Sequence, residues 1–236
     1  MKIFAKIRFY WGAFTISFIV AVFMIPLITI FPKQRGTIMF YLNKLIIILM
    51  GGTLEQVGEV DESANLLLMN HQGIIDIVGM EALQNRHHRW VAKKELFDAL
   101  WFGHLLKRGG MISIDRESKA GLLKLIKDVK YTIENSDRAV AIFPEGTRAK
   151  GQGLLPFKAG AKFIAKKLNM RVQPIVITGS KELLNEHIKT GGNATIRYIY
   201  LPAFNVKDAP KDWYEKVRED MQKVIDDELY NNNRSR

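Results

Sequence analysis

A chain of 236 residues, 47% of them apolar, has the material for a buried core and room for one catalytic domain with a small appendage, which excludes a disordered tail. It holds no cysteine, so disulfides, thiolate nucleophiles and cysteine-ligated zinc are excluded. Its formal net charge of +11 points to an anionic partner: nucleic acid, anionic lipid or an acidic substrate. The distribution of charge decides among them. From Met1 to Thr53 there are six basic residues and no acidic one, and the bases flank apolar runs, which reads as membrane and not as a nucleic-acid groove.

Phe9 to Phe31 is a run of 23 residues without a charge, preceded by Lys2, Lys6 and Arg8 and followed by Lys33 and Arg35. Its length suffices to cross a bilayer. A signal peptide has a shorter apolar stretch and a small-residue cleavage site, and neither is evident, so the segment is expected to be retained. A second apolar stretch, Thr37 to Met50, is interrupted by Asn43 and Lys44 and is too short and too polar for a span of its own. Two readings stay open. One is a single-span anchor. The other is a helical hairpin turning at Phe31-Pro32, with Pro26 as a kink, which dips into one leaflet and so accommodates basic residues at both ends. Either way residues 1–53 form a membrane anchor and residues 54–236 the catalytic domain.

After Gly51-Gly52 the texture is globular. Leu66 to Met69, Trp90 to Ala92, Met111 to Ile114, Ala139 to Phe143 and Val172 to Thr178 are short apolar runs of the kind that form strands buried on both faces. Between and after them lie helical stripes: Leu122, Ile126, Val129 and Ile133, and then Trp213, Val217, Met221 and Val224. This alternation predicts an α/β fold with a largely parallel sheet flanked by helices.

Polar motifs stand where three of these strands end. Asn70-His71-Gln72-Gly73-Ile74-Ile75-Asp76 follows the first run. His71 is a candidate general base, and Asp76, five positions on, a candidate to hold the other ring N–H, as in a serine-protease triad that lacks its serine. With no Cys and no Gly-x-Ser-x-Gly elbow, the simplest chemistry is direct attack of a substrate hydroxyl on an activated carbonyl. Gly110 through Arg116 places Arg116 just beyond a second strand. Phe143-Pro144-Glu145-Gly146-Thr147-Arg148 is a third exit, in which Arg148 suits a phosphate, Thr147 and nearby N–H groups add donors, and Glu145 is expected to orient Arg148 or to accept from an acceptor hydroxyl. Three such exits in one domain would converge on one crevice at the carboxyl edge of the sheet.

Asn70-His71 with Asp76, Gly110 through Arg116, Phe143 through Arg148, and Val172-Gln173-Pro174-Ile175-Val176 occur in the order and at about the spacing of the 1-acylglycerol-3-phosphate acyltransferase family, which the sequence resembles from roughly Leu66 to Ser180. The resemblance implies that His71 and Asp76 are the catalytic dyad, and that Arg116, Glu145, Gly146 and Arg148 belong to the acceptor's phosphate site. It implies lysophosphatidic acid as acceptor, an acyl carrier protein or coenzyme A thioester as donor, and no metal or other cofactor. The expected setting is a bacterial inner membrane with the active site on the cytoplasmic side, among membrane lipids and without nucleic acid. Ser113 stands where the family often has an aromatic residue, and Ala149 where Ser is usual. Two rivals remain at this level: an acyltransferase for another lyso-lipid acceptor, and a noncatalytic membrane lipid-binding protein. His87 and His88, between Arg86 and Arg89, read as solvated loop residues. His104, with Phe97, Trp101 and Phe102, reads as core packing ahead of an acyl-tunnel lining or a membrane contact; Lys93 and Lys94 read as ordinary exposed lysines, the alternative being attraction of an acidic donor, and Lys158 is placed near the phosphate.

Overall fold

The fold is seen in a computed structural model that describes residues 2–115 and 118–235. The uncharged N-terminal run is helical as far as Ile30. Helix α1 (Lys2–Phe18) passes through a π-helical stretch, Ile19–Met24, into α2 (Ile25–Ile30). The stretch ends just before Pro26, which has no N–H to give to a preceding carbonyl, so the wider turn falls where the α-helical ladder would have to break. Together these segments make one apolar helix, Lys2–Ile30, long enough to cross a membrane. Phe31 leaves the helical region, Pro32–Gln34 makes a 3₁₀ turn, and α3 (Arg35–Leu49) packs back against both α1 and α2. The chain thus folds back at Phe31-Pro32 as a helical hairpin, one of the two arrangements left open by the sequence. Its open end is fastened by Arg8, which donates to Met50 O (2.8 Å) and Gly192 O (3.1 Å), and by the Trp11 indole, which donates to Leu49 O (3.1 Å).

The remaining elements follow as β1 (Gly52–Val57), β2 (Leu66–Met69), α4 (Ile74–Leu83), β3 (Arg89–Lys93), α5 (Leu100–Arg108), β4 (Ile112–Ile114), α6 (Lys119–Asn135), β5 (Val140–Ile142), α7 (Ala159–Lys167), β6 (Arg171–Thr178), α8 (Ser180–Leu183), a small hairpin of β7 (Leu184–Asn185) and β8 (Thr190–Gly191), β9 (Ala194–Tyr200), β10 (Phe204–Asn205) and α9 (Trp213–Asn232). Among the described residues the main sheet has the order β1-β9-β6-β2-β5-β3-β4, with β10 beside β6. The five strands from β6 to β4 are parallel, as predicted from their unbroken apolar runs. β9 opposes β6, and β1 runs parallel to β9, so the other edge is reversed.

Successive residues of β2 serve opposite faces, as the two-residue period of a strand requires. Leu67 and Met69 join the core under α4 and the N-terminal helices, whereas Leu66 and Leu68 join the core under α6, α7 and α9. The first of these cores includes Ile16, Ile19, Val20 and Met24 beside Ile75 and Val78. The hairpin's inner face therefore shares one core with β2 and α4. Its outer face leaves Trp11, Phe14, Phe18 and Tyr41 exposed, as suits a membrane anchor.

Candidate active site

Where β2 ends, the buried Asn70 amide donates to Ile177 O (2.8 Å) and accepts from Ile177 N (2.7 Å). The side chain so extends the ladder to β6 by one rung and fixes the direction in which the chain leaves the sheet. His71 comes next, and Gln72 and Gly73 turn into α4, whose third residue is Asp76. One oxygen of Asp76, Oδ2, accepts from Gln72 N (2.6 Å), Gly73 N (3.0 Å) and His71 Nδ1 (2.8 Å). The carboxylate thus caps its own helix and holds the histidine with the same atom.

Asp76 is fully buried, and burial pushes its pKa up. The hydrogen bond and charge of His71, with the N–H groups of Gln72 and Gly73, outweigh that and hold it below the usual carboxylate value. An ionised carboxylate only accepts, so Nδ1 turns a proton to it, and in the neutral imidazole Nε2 is then the nitrogen with the lone pair. The His71 ring stacks on Phe143 at 3.8 Å and 11°, and Phe143 stacks on Trp90 at 5.2 Å. Phe143 fixes the plane of the ring while Asp76 fixes its tilt.

The turn after β5 is built differently from the expectation. Gly146 has φ +71°, a conformation that favours glycine, and its N–H donates to Phe143 O (3.0 Å). Buried Glu145 does not orient Arg148. It accepts from His71 N (3.0 Å) through one oxygen and from Leu155 N (2.8 Å) through the other, tying the turn to the histidine segment. Ala149 N donates to His71 O (2.9 Å), closing the same junction. Arg148 pairs instead with Glu186, from the loop between β7 and β8, with Nη1 2.5 Å from Oε2. Glu186 Oε1 accepts from Ile74 N at 2.7 Å. Nothing in the sequence around Glu186 signals this, because the partners are 38 and 112 residues away.

His71, Gly146, Thr147 and Arg148 face a common cavity of about 1210 Å³. Its lining is largely apolar and includes Phe9, Ile16, Val20 and Met24 of the hairpin. Lys93 and Lys158 also line it, as do Trp101 and Phe102, so that aromatic pair serves the cavity, while Phe97 packs in the core as expected. Arg116 lies outside the described residues. The expectation of solvated histidines at positions 87 and 88 is overturned. His88 is buried, His87 nearly so, and both turn a ring nitrogen to buried Glu81, which also accepts from the Trp90 indole (2.7 Å). The flanking arginines concealed this. Arg86 donates to Asp137 O and Arg89 to Gly110 O, so neither flanking guanidinium simply marks a solvated loop, and Arg138 reaches over to the carbonyls of His87 and His88.

A family of acyltransferases matches residues 53–178. A 1-acyl-sn-glycerol-3-phosphate acyltransferase of Helicobacter pylori is 40% identical over 176 residues, which are 74% of each chain. A Salmonella typhimurium enzyme of the same name is 30% identical over 154 residues, 65% of this chain and 61% of that one. The human beta form is 31% identical over 137 residues, and this chain spans about half of it (49%). The crystal structure of the 1-acyl-sn-glycerophosphate acyltransferase PlsC from Thermotoga maritima superposes with a TM-score of 0.80 over 97% of this chain and 98% of that one, at 17% identity. The fold is thus shared over nearly the whole length, hairpin included, and the sequence match covers the strands that carry His71 and Arg148. This chain belongs to the 1-acyl-sn-glycerol-3-phosphate acyltransferase family.

Proposed function

We propose that the chain transfers a fatty acyl group from an acyl carrier protein or coenzyme A thioester to the sn-2 hydroxyl of 1-acyl-sn-glycerol 3-phosphate, forming phosphatidic acid, with His71 as general base. The observation that carries the mechanism is the state of the imidazole. Nδ1 is fixed by buried Asp76, while Nε2 has no partner among the described residues and the ring lines the cavity. Nε2 takes the proton of the acceptor hydroxyl as its oxygen attacks the thioester carbonyl. The tetrahedral intermediate expels the thiolate, and the proton on Nε2 passes to the sulfur. Asp76 stabilises the imidazolium between the two transfers. No covalent acyl-enzyme is formed.

Gly146, Thr147 and Arg148 form the acceptor's phosphate subsite, and Glu145 holds their turn against His71. Arg116 belongs to the same subsite by its place in the family motif. Residues 1–53 anchor residues 54–236 to the cytoplasmic face of a bacterial inner membrane, and the exposed aromatic face of the hairpin supports this.

The test is an acceptor panel in detergent micelles, with thiol release and lipid product both measured. Lysophosphatidic acid is expected to be used in preference to lysophospholipids with a substituted phosphate. Preference for one of those would overturn the acceptor assignment, and absence of thiol release with every acceptor would overturn catalysis itself.

A further inference from the structure

Two groups beside His71 are suited to an anion: the guanidinium of Arg148 and the first N–H of α4, at Ile74, where the helix dipole is positive. Both are occupied by a single side chain of the protein. Glu186 accepts from Ile74 N (2.7 Å) through Oε1 and from Arg148 Nη1 (2.5 Å) through Oε2. It packs close to Gly73, where a β-carbon would stand 3.1 Å from Glu186 Oε1. Arg148 and Glu186 are both partly exposed, at 40% and 28%, and both line the cavity that His71 faces. The pair is therefore reachable from the substrate side.

We infer that Glu186 is a resident competitor for the acceptor's phosphate: its carboxylate fills the subsite of Arg148 and the α4 N-terminus when no acceptor is bound, and a phosphate monoester displaces it. This rests on the reading of Arg148 as the phosphate contact. The chemistry favours the exchange, because a phosphate monoester carries a charge of about −1.5 to −2 and three terminal oxygens against the single charge of a carboxylate. A tethered carboxylate also acts at high effective concentration, so weakly held anions fail to enter while a well-fitting phosphate succeeds. The empty site keeps Arg148 in position and α4 capped, and Glu186 is in that sense a positioning residue.

The test uses the full chain in detergent micelles with glycerol 3-phosphate as a competitive inhibitor. Glu186→Gln retains an acceptor for Ile74 N but loses the charge. It is expected to lower the inhibition constant on the order of threefold to tenfold, the range for a partly exposed charge-assisted pair. The KM for lysophosphatidic acid should fall in parallel. In an Arg148→Ala background the same substitution should have almost no effect. If Arg148→Ala alone fails to weaken inhibition, Arg148 is not the phosphate contact. If it does weaken inhibition but Glu186→Gln leaves the constant unchanged or raises it, Glu186 is only a strut for Arg148 and the inference is wrong. Glu186→Ala and the melting temperature of each variant separate loss of fold from either result.

Discussion

The dyad can be tested at single atoms. His71→Ala removes Nε2 and should lower turnover on the order of a hundred- to ten-thousand-fold, as loss of a general base does. Asp76→Asn should be similarly severe. It keeps the volume but turns an amide toward the ring, which favours the wrong tautomer, and it weakens the acceptor shared by Gln72 and Gly73. Thiol-release assays beside circular dichroism check both, and near-normal turnover by folded His71→Ala would remove the mechanism. Arg148→Lys keeps the charge but loses the planar fork, so catalytic efficiency toward lysophosphatidic acid should fall roughly ten- to hundredfold. The contact between His71 and Asp76 was legible in the sequence because the two share one strand-to-helix turn. The partners of Arg148 and Glu145 were not. The nearest charge in sequence suggested a Glu145–Arg148 pair, whereas the fold gives Glu145 two backbone N–H groups and brings a distant carboxylate to the guanidinium.

At the scale of elements, the site depends on how closely α4 lies on the sheet. A β-carbon at Gly79 would stand 2.2 Å from Tyr198 Oη and 3.3 Å from Leu54 Cδ2. Tyr198 is buried on β9 and donates to Asp76 O (3.0 Å), so it has little freedom to retreat. Alanine in a helix interior usually gains about 1 kcal/mol over glycine, but overpacking costs about 1–3 kcal/mol, and here the clash should win. Gly79→Ala is expected to lower the melting temperature, and Tyr198→Phe in the same chain to restore part of it. No recovery would mean that the strain lies elsewhere. Five parallel strands were readable because their residues are apolar on both faces. β1 and β9 escaped for the opposite reason. Each mixes buried positions with polar or charged ones such as Glu55 and Arg197, and those two find each other only across the finished sheet.

For the molecule as a whole, three carboxylates make folding sensitive to acid. Arg171 chiefly holds Asp61 at about 2. For Asp76 and Glu81 burial acts upward, but it is outweighed by hydrogen bonds from His71 to Asp76 and from His87 and His88 to Glu81, and both stay below the ordinary values of 3.8 and 4.5. Each binds its proton less readily folded than unfolded, so its contribution is complete above those ordinary values and is lost as pH falls through its folded value, about 2 for Asp61. Melting temperatures in detergent should hold steady from neutral pH to about pH 5 and then drop, and a flat profile down to about pH 3 would contradict this. A chain beginning at Leu54 should lose vesicle flotation, and it should also melt lower or aggregate, because Ile16, Val20 and Met24 leave the core with the hairpin. Tags at the two termini should both face the cytoplasm if the hairpin lies in one leaflet, and opposite exposure would favour a single span. The hairpin's double role, apolar wall to the cavity and aromatic face outward, also governs how substrate supply is reckoned. Moving a tail of about a dozen methylenes from hydrocarbon into water costs roughly 10 kcal/mol at about 0.8 each. A lipid that passes from bilayer to cavity along the hairpin never meets that barrier. The concentration that matters is then two-dimensional: the rate should follow the mole fraction of acceptor in the surface, staying constant when mixed micelles are diluted with buffer and falling when inert detergent is added.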